Sequence, residues 1–213
     1  MMIRKKILSF ISFILFTFAF SNEFELYKNH EDSKVYKTLK IDETINIDGI
    51  LDEKSWTLVD PLNDFIQVFP DLLSYPSNVS SVKILYDDYN LYFGITLNQD
   101  SKNISYKLGS YDSFGDTFQD NSDYFVIELD PYHKHNNSYG FVVNASNINA
   151  DYMIYDDDVN SVDDYWNADW NSEVKINQDS WVIEIVIPLT QLRFPDKNEQ
   201  VWGLNFIRYI KNN

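Results

Sequence analysis

The chain has 213 residues, of which 44% are hydrophobic and 16% aromatic, and its formal charge at neutral pH is −16. This length and apolar content are sufficient for one substantial hydrophobic core. The acidic balance excludes nucleic acid as a partner, because like charges repel. The chain contains no cysteine, which excludes disulfides, thiol catalysis and thiolate metal sites.

The first 21 residues have the pattern of a signal peptide. A basic segment at 4–6 precedes an apolar segment at 7–18, and the small-x-small sequence Ala19-Phe20-Ser21 follows. The apolar segment is too short to cross a bilayer core of about 30 Å as a helix. We therefore expect export to the periplasm, outer membrane or cell surface. Removing residues 1–21, which carry three basic groups and no acidic ones, changes the formal charge from −16 to −19.

Beyond a polar segment at 22–39, short stretches of the chain alternate apolar and polar side chains. Alternation with a period of two, rich in aromatic and β-branched residues, is typical of half-buried antiparallel strands. The predicted inward positions are, in chain order, Val82, Ile84 and Tyr86; Leu91, Phe93, Ile95 and Leu97; Phe125, Ile127 and Leu129; Tyr139, Phe141 and Val143; Trp181, Ile183, Ile185 and Ile187; and Trp202, Leu204 and Phe206.

Turn and helix signals complete the fold prediction. A tight hairpin turn is expected at 87–90 and a polar loop at 131–138. Short helical turns are expected at 51–58 and 189–192, and no window has a sustained helical repeat. We predict an all-β fold, a single antiparallel β-sandwich of about eight strands over residues 40–213, immunoglobulin-like or jelly-roll-like.

The sequence INIDGILDEKSW, residues 45–56, is predicted to form a strand, a turn and a helical turn. Gly49 permits the turn, Asp52 is placed to cap the helical turn, and Trp56 is expected to pack under the sheet. We interpret this motif as part of the architecture and not as a ligand contact.

Six motifs follow one another in an order that is more specific than any one of them. They are INIDGILDEKSW, VKILYDDYNLYFGI, DYFVIELDPY, YGFVVNASNINAD, WVIEIVIPLTQLRF and WGLNFIRYI. The series resembles the family 9 carbohydrate-binding module and its superfamily of secreted sandwiches that bind sugars or haem. It is most similar to the version found at the N-terminus of bacterial proteins that continue into a predicted outer-membrane β-barrel. The resemblance covers residues 40–210 and implies carbohydrate binding, a link to carbohydrate catabolism and a chain truncated before such a barrel.

This chain departs from the family pattern at two positions. Relatives carry basic residues just before the central Asp-rich strand, where this chain has Gly109-Ser110-Tyr111-Asp112, so a recognition arginine is missing. In sugar-binding members, part of an aromatic clamp comes from a loop after the last strand, and this sequence ends at Asn213. The resemblance therefore assigns no residue of this sequence to that half of the clamp.

The segment DDYWNADWNSE, residues 163–173, combines aromatic rings with carboxylates and amides. Sugar recognition needs flat aromatic faces for stacking and polar groups for the hydroxyls. The predicted carbohydrate-binding residues are Tyr165, Trp166, Asn167 and Trp170, together with Tyr111. The alternative is that one or both tryptophans close the end of the hydrophobic core.

Three further groups suggest metal or haem binding. Asp156, Asp157 and Asp158 are candidate calcium ligands, although the spacing is not that of an EF-hand and a solvated acidic loop is the alternative. The sequence pairs two histidines at 133–135, but no third metal ligand is evident nearby. Met153 is the one methionine beyond the first 21 residues, and either packing or a haem ligand is consistent with it.

No motif indicates catalysis. The chain has 33 acidic residues and only six glycines, so carboxylate pairs arise by chance and no phosphate loop or nucleophile elbow is present. Any glycoside hydrolase activity would reside in a partner domain. We predict non-catalytic binding of oligo- or polysaccharide by an exported cell-envelope protein. The alternatives are a structural or interaction appendage of an outer-membrane barrel that binds no sugar, and a haem-binding sandwich.

Overall fold

The computed structural model describes residues 34–106, 122–158 and 161–211. The chain divides into two units, Met1–Lys37 and Thr38–Asn213, and the second contains all the secondary structure described below. The signal-peptide prediction concerns residues outside the described ranges and stays a prediction. Across those ranges, no helix has the length and apolar character needed to span a membrane.

The second unit consists of two five-stranded sheets, which confirms the predicted β-sandwich. The strands are β1 (Leu39–Lys40), β2 (Ser80–Tyr86), β3 (Asn90–Asn98), β4 (Tyr124–Asp130), β5 (Ser138–Asn144), β6 (Asn149–Ile154), β7 (Val162–Asp163), β8 (Asn171–Ile176), β9 (Ser180–Pro188) and β10 (Gly203–Tyr209). The first sheet has the order β1-β2-β3-β9-β8 and the second β10-β4-β5-β6-β7. All pairs are antiparallel except β1 with β2.

Short 3-10 helices occupy Lys54–Leu58, Ser101–Asn103 and Leu189–Gln191. The first and third lie within the predicted helical turns, and the second was not predicted. The hairpin turn predicted at 87–90 is confirmed, because the Asp87 carboxylate accepts hydrogen bonds from the amides of Tyr89 and Asn90, each at 2.7 Å.

The hydrophobic core lies between the sheets and is formed by most of the side chains that the alternation predicted, whereas Leu204, also predicted inward, is 38% exposed. Phe93, Phe125, Phe141 and Trp181 are each at most 1% exposed. The Phe206 ring on β10 contacts two of these rings, with centroid distances of 6.2 Å to Phe93 and 5.9 Å to Phe125. Burial of such side chains is the main source of stability in a chain without disulfides.

A second apolar cluster covers the outer face of the first sheet. Leu85 and Tyr92 point outward from β2 and β3 and are nevertheless buried, because Ile41, Ile45 and Trp56 pack against them. The chain before β2 therefore covers this face of the sheet. Trp56 packs as predicted, and its side chain is 1% exposed.

The turn in the 45–56 motif depends on Gly49. Its φ is +78°, and a Cβ there would lie 3.0 Å from Cβ of Lys175 on β8, so both the backbone conformation and the space favour glycine. The prediction for Asp52 was wrong. Glu53 is the N-cap of the 3-10 helix and makes no side-chain capping hydrogen bond.

Strand register defines the two ends of the sandwich. We call the end that holds the connections after β2, β4, β6 and β9 the Trp166 end, because Trp166 lies there. The opposite end holds the connections after β3, β5 and β8 and the residues after β10. We call it the Asp123 end.

Candidate functional site

The structure places four of the five predicted sugar-binding residues at the Trp166 end. Trp170 is buried, at 6% exposure, and its Nε1 donates to Oδ2 of the buried Asp151 at 2.8 Å. Its ring packs edge-on against Phe141 at 5.2 Å. Trp170 therefore closes the end of the core and cannot offer its face to a sugar.

Trp166 is half-buried and rests on the core. Its ring lies 5.1 Å from that of Tyr139 and 5.9 Å from that of Phe141. Tyr165 is 94% exposed and Asn167 is also exposed. These two residues are accessible to a ligand, whereas only part of Trp166 is.

The Trp166 end contains a second aromatic pair that the sequence analysis did not assign to a site. The amide of Arg193 donates to the Tyr139 hydroxyl at 3.3 Å, which fixes the chain between β9 and β10 beside Trp166. The next residue, Phe194, contacts Trp202 with ring centroids 5.4 Å apart. Both rings are half-buried, so they also close the core more than they extend from it.

The calcium candidates lie in an exposed loop at the same end. Asp156 and Asp157 adopt positive φ values of 59° and 51°, and the amide of Asp157 donates to the carbonyl of Asn136 at 2.8 Å. Within residues 34–106, 122–158 and 161–211, no group of three or more histidine or acidic side chains is arranged to hold a metal ion. Calcium binding by Asp156, Asp157 and Asp158 remains a prediction.

The histidine pair belongs to a loop organised by Asp130. Oδ2 of Asp130 accepts hydrogen bonds from the amides of Lys134 and His135, each at 2.7 Å, and Oδ1 accepts one from Tyr132 at 3.1 Å. The rings of His133 and His135 meet edge-on at 5.1 Å. The hydrogen bonds to the Asp130 carboxylate therefore account for the conformation of this loop.

Met153, the candidate haem ligand, lies on β6 and is partly buried. Its Sδ accepts a hydrogen bond from the Tyr155 hydroxyl at 3.5 Å. A methionine whose sulfur accepts this hydrogen bond is consistent with a packing role.

The Asp123 end is built on a buried polar network. Asp123 is 0% exposed, and its carboxylate accepts hydrogen bonds from Gln99 Nε2 at 2.6 Å and from the Lys211 amide at 2.7 Å. The Arg208 guanidinium donates to the carbonyls of Val79 and Asn98 at 3.2 and 3.0 Å. Burial raises the pKa of Asp123 and lowers that of Arg208 to about 10.

A hairpin protrudes beside this end, between Leu62 and β2. It is joined by hydrogen bonds from Gln67 N to Ser74 O at 2.9 Å and from Leu73 N to Gln67 O at 2.8 Å. Its last residues contact the Arg208 network through the carbonyls of Asn78 and Val79. The backbone of the hairpin is therefore fixed although its side chains extend into solvent.

The hairpin exposes an unusual amount of apolar surface. Gln67 pairs with Ser74 in an isolated bridge, and Ile66, Val68, Leu73 and Tyr75 are the residues next to this pair in the sequence. These four side chains are 49, 62, 59 and 95% exposed, and Phe69 near the tip is 81% exposed. Contiguous apolar patches on a surface mark sites that bind proteins, membranes or ligands, whereas single exposed apolar side chains are ordinary.

The fifth predicted residue, Tyr111, lies outside the described ranges, in the segment between Tyr106 and Ser122. Both flanking residues are at the Asp123 end, where the amide of Asp123 donates to Ser105 O at 2.7 Å. Lys211, which follows β10, also lies at this end. The described residues that precede β4 and follow β10 are therefore both at the Asp123 end, where Ser105 and Lys211 contact Asp123.

Comparison with known proteins gives matches among solved structures alone. No family model and no curated protein matches the sequence. A family 9 carbohydrate-binding module from Caldicellulosiruptor kristjanssonii, in complex with glucose, superposes with a TM-score of 0.56 at 16% identity, over 82% of this chain and 76% of that one. The cellotriose complex of such a module from the same organism gives 0.54 at 16% identity, over 80% and 75%. The sandwich described above therefore has the fold of a family 9 carbohydrate-binding module.

Proposed function

We propose that this domain binds carbohydrate without catalysis, as part of an exported protein of the bacterial cell envelope that takes part in carbohydrate catabolism. The fold supports this function, since the similar modules were solved in complex with glucose and with cellotriose. The observation that carries the proposal is the exposure of Phe69 and Tyr75, at 81 and 95%, on a hydrogen-bonded hairpin. Exposed aromatic faces stack on the C–H surfaces of sugar rings.

The Asp123 end is the better candidate for the binding site. Its aromatic side chains extend from a fixed backbone, and Tyr106 nearby is 62% exposed. The larger rings of the Trp166 end, in contrast, pack on Tyr139 and Phe141. A ring that already packs on the core has little free face for a ligand.

The chemistry of the hairpin favours uncharged sugars. No lysine, arginine or histidine occurs between Lys54 and Lys83, while the same stretch carries Asp60, Asp64 and Asp71. Carboxylates accept hydrogen bonds from sugar hydroxyls and repel uronates and sulfates. Affinity is expected to be modest, because polar groups of the sugar lose good hydrogen bonds with water.

Calorimetric titration of the purified chain with cello-oligosaccharides, preceded by a glycan-array screen with calcium and with chelator, tests the proposal. Phe69→Ala and Tyr75→Ala should each weaken binding by at least about tenfold. Tyr165→Ala is the matched control, since it removes an equally exposed ring at the opposite end.

Loss of binding in the control alone would move the site to the Trp166 end. Absence of binding to every glycan, by a chain that remains folded, would contradict carbohydrate binding. It would favour a structural appendage of an outer-membrane barrel instead.

A further inference from the structure

The four edges of the two sheets differ in how they are protected from pairing with another strand. Exposed edges are sites of unwanted association, and proteins protect them with short strands or charged side chains. In the described part of the chain, β1 and β7 are two residues long. The longer edge strand β8 exposes the charged side chains of Glu173 and Lys175.

The remaining edge strand, β10, has neither protection. It is seven residues long, contains no proline, and carries Arg208 as its one charged residue. The Arg208 guanidinium points inward, where it donates to Ser80 Oγ at 3.1 Å and Gln99 Oε1 at 2.9 Å. Among the described residues, β10 pairs with β4 alone, so within that part of the chain its other side is an unprotected edge.

The side chains of β10 leave apolar surface along this edge. Leu204 lies on the same face as Phe206, which packs into the core, yet it is 38% exposed. Phe65 covers Phe206 at 6.3 Å, so the uncovered part lies at Leu204. On the outer face Ile207 is 43% exposed.

We propose that β10 pairs antiparallel with β10 of a second copy of this chain, about a two-fold axis at Phe206. An unpaired strand edge requires another extended strand, and two identical antiparallel strands satisfy this requirement with no further partner. This axis places Leu204 opposite Arg208 and Asn205 opposite Ile207. Inward side chains then meet inward ones, and the two sheets form one sheet of ten strands, five from each copy.

The charge of β10 also favours a second copy. Asn205 donates to Glu128 Oε2 on β4 at 2.9 Å, and Arg208 is bonded to the first sheet, so no pair of like charges meets at the contact. The whole chain carries −16, and its copies repel one another over about 30 Å at 0.01 M salt but only about 3 Å at 1 M. Dimerisation should therefore strengthen as salt is added, which is opposite to the behaviour of an ion-paired interface.

Sedimentation equilibrium of the purified chain tests this proposal. We expect a monomer–dimer equilibrium in which the dimer fraction rises with protein concentration and with salt. Ile207→Lys should weaken the dimer by at least about tenfold. The matched control is Ile176→Lys, which places the same charge on a side chain of similar exposure, 40%, on β8. A chain that stays monomeric at high concentration and high salt, or a dimer that Ile207→Lys leaves unchanged, would overturn the proposal.

Cysteine pairing tests the register independently of stability. Because the chain has no cysteine, Asn205→Cys and Ile207→Cys each introduce a single thiol. Opposite residues of an antiparallel pair have Cα atoms about 4.5 to 5.5 Å apart, within the range of a disulfide. A mixture of the two variants should form mainly the mixed disulfide. Equal cross-linking of each variant alone, or none in the mixture, would contradict a two-fold axis at Phe206.

Discussion

The indole nitrogen of Trp56 donates to Oε1 of Glu184 at 3.2 Å, and both side chains are at most 1% exposed. Oε2 of the same carboxylate accepts the amides of Asp48 and Gly49 at 3.0 and 2.9 Å. Glu184 thus joins β9 to both halves of the 45–56 motif. Gly94, the cross-strand partner of Glu184, leaves room for the indole, since a Cβ there would lie 3.1 Å from ring atoms of Trp56.

Trp56→Phe should lower the free energy of unfolding by about 3 kcal/mol. The change leaves a cavity in the outer cluster and removes one donor from a buried carboxylate. Urea denaturation measures the loss. The matched control is Trp202→Phe, because that indole is half-exposed and donates to the exposed Gln200 at 3.2 Å. Equal losses in the two variants would contradict a special role for the Glu184 contact.

Glu184 should also make stability depend on pH. The pKa of Glu184 is raised, mainly because the side chain is buried. The hydrogen bond from the Asp48 amide opposes this shift, and the nearby Glu53 carboxylate adds to it. A raised pKa in the folded state means that folding binds the proton more tightly. The stabilising contribution is therefore complete below the ordinary pKa, about 4.3, and is lost as the pH rises through the folded-state pKa.

The expected result is that wild type loses stability relative to Glu184→Gln as the pH rises from about 4 towards neutrality. Urea unfolding of both proteins at a series of pH values gives this difference directly. A difference that grows in favour of wild type with rising pH would mean that the hydrogen bonds to Glu184 from the Trp56 indole and the amides of Asp48, Gly49 and Ile50 outweigh burial.

Gly140 and Tyr152 should be strongly coupled. A Cβ at Gly140 would lie 2.1 Å from Cζ of Tyr152, so Gly140→Ala must displace the ring and break the 2.8 Å hydrogen bond from its hydroxyl to Glu128. We expect a loss of about 2 kcal/mol or more. In a Tyr152→Ala background the same change should cost little, and a double-mutant cycle measures the difference. Additive losses would contradict a steric origin.

The alternation of side chains predicted the inner faces of the strands, because a period of two is a local property of the sequence. It did not predict that Ile84 and Leu85, neighbours on opposite faces of β2, are both buried. The residues that cover Leu85 lie between 41 and 59. Burial on both faces is a tertiary contact between distant segments, which local periodicity does not contain.

The candidate site was predicted less well than the fold, for a similar reason. Sequence reasoning selected Trp166 and Trp170 because large rings stood among acidic residues, but both rings pack on Phe141. The hairpin sequence IQVFPDLLSY looks like buried strand by composition. The hairpin is exposed because of where Leu62 and β2 fix its two ends, which is a tertiary property. Only Pro70 and Asp71 at the tip indicated in the sequence that this stretch is an exposed turn.

Trp170→Phe should separate the structural role of the Trp166 end from a binding role. The change removes the donor at 2.8 Å from Oδ2 of Asp151, which is 3% exposed. Leaving a buried carboxylate short of a donor should cost about 2 to 3 kcal/mol in unfolding free energy, although the Ala168 amide still donates to Oδ1 at 3.3 Å.

Tyr165→Ala, at a side chain 94% exposed, should change stability by no more than about 0.5 kcal/mol. Neither variant should alter sugar affinity below its unfolding transition if the site lies at the Asp123 end, because both positions are at the opposite end of the strands. The opposite pattern, unchanged stability and lost binding in Trp170→Phe, would require the Trp170 ring to reach solvent and contact sugar. In that case neither the edge-on packing of Trp170 on Phe141 nor its hydrogen bond to Asp151 would contribute to stability. The burial of Trp170, Phe141 and Asp151 argues against that outcome.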